Sequence, residues 1–143
     1  MIDTMVTITR LIVTGIFDEI PNLKVVLGHL GEALPFLLAR MDHRIHFLPN
    51  PNVKNKHNIT HYFKNNIWVT TSGNMSNEAF VCTVNTIGLD RIMFSGDHPF
   101  VKGEEMLEFV KNLPLDESDR RKLYYENAQI LGINAPWLPG VMN

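Results

Sequence analysis

Two short apolar runs in this sequence end abruptly in an ionisable residue. Leu23-Lys24-Val25-Val26-Leu27-Gly28 leads into His29, and Arg91-Ile92-Met93-Phe94-Ser95-Gly96 leads into Asp97. A buried strand that ends this way and is followed by a helix is how a parallel β/α barrel presents chemistry at the C-terminal ends of its strands. His29 has Glu32 three residues on. A carboxylate there can bond the imidazole and fix its tautomer, the arrangement found behind catalytic and metal-bound histidines. The plainer alternative is that His29 bonds a backbone group while Glu32 complements a helix dipole. Asp97 ends an apolar strand, where its desolvation is costly unless a metal or another cation compensates. The alternative for Asp97 is a cap on the helix that follows.

Other side chains are candidates by position. Glu32, Phe36 and Arg40 are spaced four apart and are expected to share one face of the helix after His29. A guanidinium on that face can hold a substrate carboxylate through two parallel hydrogen bonds. The alternative is a surface ion pair with Asp42 or Asp3. His98 follows Asp97 and can line the same site. His43 and His46 lie three apart, but no H-E-x-x-H motif accompanies them, so a polar helix face is expected. His57 and His61 are expected to be solvated, and Cys82 to be a buried apolar filler. No nucleophile elbow, glycine-rich phosphate loop or CxxC pair is present.

These residues need elements to hold them. Apolar spacing predicts a helix over residues 3–17 capped by Asp3, a strand over 23–28, and a helix from 32 to about 46 with Pro35 in its first turn. The polar stretch from Pro49 to Asn58 reads as the longest loop. A short helical turn from Thr60, a strand over Ile67–Thr71, and a helix from Ser76 or Asn77 to Ile87 closed by Gly88 follow. A third strand is expected over 91–95, then a helix over 104–112, and a last helix opened by Asp116 and closed by Gly132. Near-continuously apolar strands alternating with helices imply an α/β fold with a parallel sheet. One domain over 1–133 is expected, with an irregular tail over 134–143.

Composition narrows the function. In 143 residues, 45% hydrophobic content supports a real core, and a net charge of -2 gives no basic field for nucleic acid. A single cysteine excludes an internal disulfide framework and fits a reducing compartment. The opening Met-Ile-Asp-Thr-Met does not look like a signal peptide, and no apolar run approaches the ~20 residues of a membrane span. A soluble cytoplasmic protein is expected, with neither nucleic acid nor membrane as partner.

Four motifs in order carry a resemblance: Gly28-His29-Leu30-Gly31-Glu32, then Ile67-Trp68-Val69-Thr70-Thr71-Ser72-Gly73, then Asp90 through Phe100, then Glu126-Asn127-Ala128. Together they resemble the C-terminal half of the amidohydrolase-related decarboxylases, which act on substrates such as γ-resorcylate and aminocarboxymuconate semialdehyde. The resemblance implies a partial (β/α)8 TIM barrel, with the strands here similar to the sixth, seventh and eighth. It implies that Asp97 binds a divalent metal, that His29 transfers a proton with Glu32 as its carboxylate partner, and that Arg40 lies close to the substrate. Zinc is the first expectation for the metal, with manganese or magnesium as alternatives. The family's further ligands come from strands with no counterpart here, so the site is expected to be incomplete and the metal to be absent from this chain alone. His98 stands where the family commonly has tryptophan or tyrosine, and Gly96 where it commonly has threonine.

The expected function is therefore metal-dependent decarboxylation of a small aromatic or unsaturated carboxylic acid. The alternatives are an amidohydrolase-type hydrolase, an inactive oligomeric fragment, and a small α/β binding module. The expected partner is a second copy, or a chain that supplies the missing half-barrel. The barrel-facing side chains Leu27, Val69 and Phe94 are expected to be exposed unless something covers them.

Overall fold

A computed structural model describes residues 1–45, 47 and 50–134. Helices α1 (Ile2–Val13) and α2 (Ile16–Glu19) precede strand β1 (Val25–Leu27). Helices α3 (Leu34–Ile45) and α4 (Ile59–Asn66) lead to β2 (Ile67–Thr70), and α5 (Asn77–Ile87) leads to β3 (Ile92–Met93). Then come α6 (Gly103–Asn112), α7 (Glu117–Arg121), a π-turn over Lys122–Glu126, and α8 (Asn127–Ile130). The three strands form one parallel sheet in the order β1-β2-β3. His46 and residues 135–143, which include most of the expected tail, lie outside the described residues.

Several boundaries differ from the expectation. The helix expected over 3–17 is divided at Gly15, whose φ of 83° is left-handed and ends α1. Helix α4 begins earlier than Thr60, because the Asn58 side chain accepts from the His61 backbone N–H and is the cap. Ser76, Gly88 and Asp116 sit where their capping chemistry predicts. Strand β3 is short for a visible reason. Ser95 N, the next donor facing β2 after Met93, bonds Thr71 Oγ1 at 3.0 Å instead of the Thr71 carbonyl. Phe94 N, on the outer side of β3, donates to Leu123 O of the π-turn at 2.8 Å. Buried Asn127 then ties the last helix to β3 by donating to Ile92 O at 2.7 Å and to Leu89 O at 2.9 Å.

The register puts Leu27, Ile67, Val69 and Ile92 on one face of the sheet, under the helices. There they pack with Ile8 and Ile12 of α1, Leu34 and Leu38 of α3, Phe63 of α4, Phe80 of α5 and Val110 of α6. Leu27 is 4% exposed and Val69 is fully buried, so the expectation that they face an open barrel interior is corrected. Phe94 is half-buried, edge-on to Tyr124 at 5.6 Å. The face turned away from the helices carries Val26, Trp68, Thr70 and Met93. Val26 is 46% exposed, whereas Trp68 is buried beneath the Arg91 guanidinium, 4.9 Å from its ring. Cys82 is half-buried rather than a core filler.

Candidate active site

Parallel strands bring all their C-terminal ends to one rim, and the rim of this sheet carries His29, the Thr71–Asn74 turn and Asp97. The chain leaves β1 through a run of left-handed residues: His29 (φ 55°), Leu30 (φ 55°), Gly31 (φ 80°) and Glu32 (φ 58°). Such conformations cost a non-glycine residue about 1–3 kcal/mol each. Leu30 is fully buried and its carbonyl accepts from Thr83 Oγ1 at 3.0 Å. Burying a leucine is worth about 1.5–3 kcal/mol, enough to offset the strain at that residue. The turn therefore holds His29 in a fixed direction.

The imidazole points at the end of β2. His29 Nδ1 lies 2.7 Å from the Ser72 carbonyl oxygen. A carbonyl only accepts, so Nδ1 carries the hydrogen, and Nε2 is the nitrogen left to take up or release a proton. Ser72 Oγ also accepts from His29 N at 3.3 Å and pairs with Thr70 Oγ1 at 2.9 Å. Asn74 Nδ2 donates to the His29 carbonyl at 3.3 Å. The expectation that Glu32 fixes the tautomer is corrected: Ser72 does so.

Asp97 converges on the same place. A β-carbon built on Gly73 would lie 2.5 Å from Asp97 Oδ2 and 3.1 Å from His29 Nδ1. The two groups singled out from the sequence thus flank one glycine. Asp97 is half-buried with φ 87°, and its carbonyl accepts from Phe100 N and Val101 N. Its carboxylate does not cap α6, whose N-terminal cap is Lys102. Thr71 sustains the approach of the β3 end by donating to Ser95 O and accepting from Ser95 N, both at 3.0 Å.

The remaining candidates lie farther out. The Glu32 side chain is 8% exposed. Its left-handed backbone places it before α3, so the expected single helix face from Glu32 to Arg40 does not form. Arg40 and His98 are exposed. Asp42 does not pair with Arg40; its Oδ1 accepts from Thr60 N at 3.0 Å. His43 is exposed, as are His57 and His61, which stack on each other at 4.1 Å. Sequence reasoning missed Ser72, Gly73, Asn74 and Thr71. The available signal was a third apolar strand, β2, ending in small polar residues at the same rim.

At the opposite ends of the strands, Lys24, Lys56, His57, His61 and Arg91 line a hollow of about 510 Å³. Lys24 Nζ and Arg91 Nη1 both donate to Asn65 O, at 2.8 and 3.4 Å, so these cations complement the C-terminal end of α4.

Among the described residues, no group of three or more His, Cys, Asp or Glu side chains is placed to hold a metal ion. Asp97 offers one open carboxylate, and His29 one free nitrogen. These do not by themselves make a metal centre.

The amidohydrolase family model matches residues 2–131, and the chain belongs to that family. It is 39% identical over 130 residues to the γ-resorcylate decarboxylase of a Polaromonas species, covering 90% of this chain and 40% of that protein. The structure of a Polaromonas dihydroxybenzoic acid decarboxylase, with bound manganese and the inhibitor 2-nitroresorcinol, superposes with a TM-score of 0.82 at 39% identity, over 89% of this chain and 39% of that one. A 5-carboxyvanillate decarboxylase from Sphingomonas paucimobilis gives 0.77 at 33% identity, over 87% and 38%. The chain therefore spans about 40% of the length of the curated relatives it matches. No described helix is long and apolar enough to cross a membrane.

Proposed function

We propose that this chain is the C-terminal part of a metal-dependent decarboxylase of a small aromatic carboxylic acid, its three strands forming a segment of a (β/α)8 barrel. The observation that carries this reading is the meeting of His29 and Asp97 at Gly73, on the strand ends where such barrels do their chemistry. The names of the relatives favour decarboxylation over hydrolysis. In the completed barrel Asp97 would be one ligand of a divalent ion. That ion would neutralise charge on an anionic substrate. Manganese is supported by the ion in the Polaromonas structure, and zinc is the alternative that the sequence suggests.

The chain's own residues have separate tasks. His29, held through Nδ1, presents Nε2 to the substrate. As the imidazolium, protonated on both nitrogens, it delivers the Nε2 proton to the ring carbon as the carboxylate leaves as carbon dioxide, and is left as the Nδ1–H imidazole. Glu32 supports the charge on that imidazole. Arg40 and His98 belong to the substrate side only if the remaining barrel folds over them. Residues 1–133 act as one unit, and their partners are a small carboxylic acid substrate and the chain, or second copy, that supplies the rest of the barrel.

The test is complementation. The chain is joined or mixed with the N-terminal portion of the Polaromonas relative, loaded with manganese or zinc, and assayed for carbon dioxide release from 2,6-dihydroxybenzoate. Activity and metal uptake are expected from the complemented protein. His29→Ala should lower the rate by about 10²–10⁴-fold, and Asp97→Asn should remove metal binding. If neither the isolated nor the complemented chain takes up metal, the reading fails.

A further inference from the structure

We propose that Gly73 is a positioning residue of this site: by lacking a side chain it lets the Asp97 carboxylate and the His29 ring close over the end of β2. The inference rests on the decarboxylase reading for its purpose, but not for its geometry. Three observations carry it. The nearest atom to a β-carbon at Gly73 would be Asp97 Oδ2, at 2.5 Å, a separation that non-bonded carbon and oxygen do not sustain. The next would be His29 Nδ1, at 3.1 Å, the atom that Ser72 holds through its carbonyl oxygen. Gly73 also has φ 65°, so the backbone there favours glycine apart from the crowding.

Any side chain at this position has two effects. It pushes the Asp97 carboxylate outward, away from where a metal ligand is needed. It also crowds the imidazole against the bond that fixes its tautomer. The site is thus set by three strand ends: β1 supplies the ring, β3 the carboxylate, and β2 the carbonyl and the gap between them.

Backbone strain and side-chain crowding can be separated within this chain. Gly132 has φ 75°, close to the 65° of Gly73, yet a β-carbon there meets nothing within 4 Å. Gly132→Ala therefore reports positive-φ strain without crowding. Urea denaturation should show Gly73→Ala lowering the folding equilibrium constant at least about 10-fold more than Gly132→Ala. The excess should persist when Asp97→Asn is added, because the side chain keeps its size. It should shrink with Asp97→Ala, which removes the tightest contact and leaves the looser one with His29 Nδ1 at 3.1 Å. Two-bond ¹H–¹⁵N spectra of the imidazoles give a readout that general destabilisation does not move. His29 of the unsubstituted chain should show the Nδ1–H tautomer, Gly73→Ala should shift its nitrogen resonances, and Gly132→Ala should leave them in place.

Equal costs for the two glycine substitutions, or an excess unaffected by Asp97→Ala, would overturn the proposal. So would an Nε2–H tautomer in the unsubstituted chain, a result that needs no variant to fold. None of these measurements requires metal or turnover. A chain that passes them and fails complementation loses the proposed function and keeps this geometry.

Discussion

Glu32 combines a largely buried carboxylate, paired at 3.8 Å with the exposed N-terminal amine, with a backbone at φ 58°, ψ −133°. Glycine adopts that conformation without penalty. Glu32→Gly is therefore expected to stabilise the chain by about 1 kcal/mol in urea denaturation, while the complemented protein loses decarboxylation. A loss of stability would show that the carboxylate holds the turn together. His29 and Asp97 were legible in the sequence because an ionisable residue after an apolar strand is conspicuous. Ser72 was not, because the group that matters is its backbone carbonyl, which every residue type carries. Glu32 was placed in the wrong element because the left-handed run from His29 leaves no periodic signal, and only Gly31 hints at it.

Between elements, the legible part was the alternation of strands and helices, together with the caps at Ser76, Gly88 and Asp116. The facing of the strands was not legible. Strands apolar on both sides show no alternation, so Leu27 and Val69 gave no sign of which side met the helices. Also unforeseen was the junction of α2 with α4. Buried Tyr62 donates its hydroxyl to Asp18 Oδ2 at 2.7 Å and accepts from Lys56 N and His57 N at 2.9 and 3.0 Å. Burial raises the Asp18 carboxyl, but the hydrogen bonds from Tyr62 and from the Lys56 backbone, with the charges of Lys56 and His57, outweigh it. They hold the group below its ordinary 3.8. A carboxyl depressed in the folded state contributes stability above its unfolded value and loses it as pH falls through the folded one. Burial, then the bond to Asp18, raises the Tyr62 hydroxyl above 10.0, so its share is present below that pH and is lost as pH climbs through the raised value. Tyr62→Phe is expected to cost about 1–3 kcal/mol at neutral pH. The difference from the parent should shrink as acid protonates Asp18, which melts at about pH 7 and about pH 2.5 would reveal.

At the scale of the molecule, the outer edges of β1 and β3 have no strand partner among the described residues, and Val26 is exposed on β1. Open strand edges seek pairing. The isolated chain is expected to self-associate at micromolar concentration and to return to a single copy when the rest of a barrel is supplied. Sedimentation checks this, and a compact monomer at low micromolar concentration would refute it. The alignment of β1 with β2 has a further consequence. Val25 faces Ile67 and Leu27 faces Val69, and the same alignment sets His29 over Ser72. A one-residue slip would turn Ile67 and Val69 out of the core and in the same step place another carbonyl beneath the imidazole. A misaligned conformer with a spoiled catalytic group is thereby also a badly packed one. Ordinary instability removes it, and the interior proofreads the chemistry at its rim.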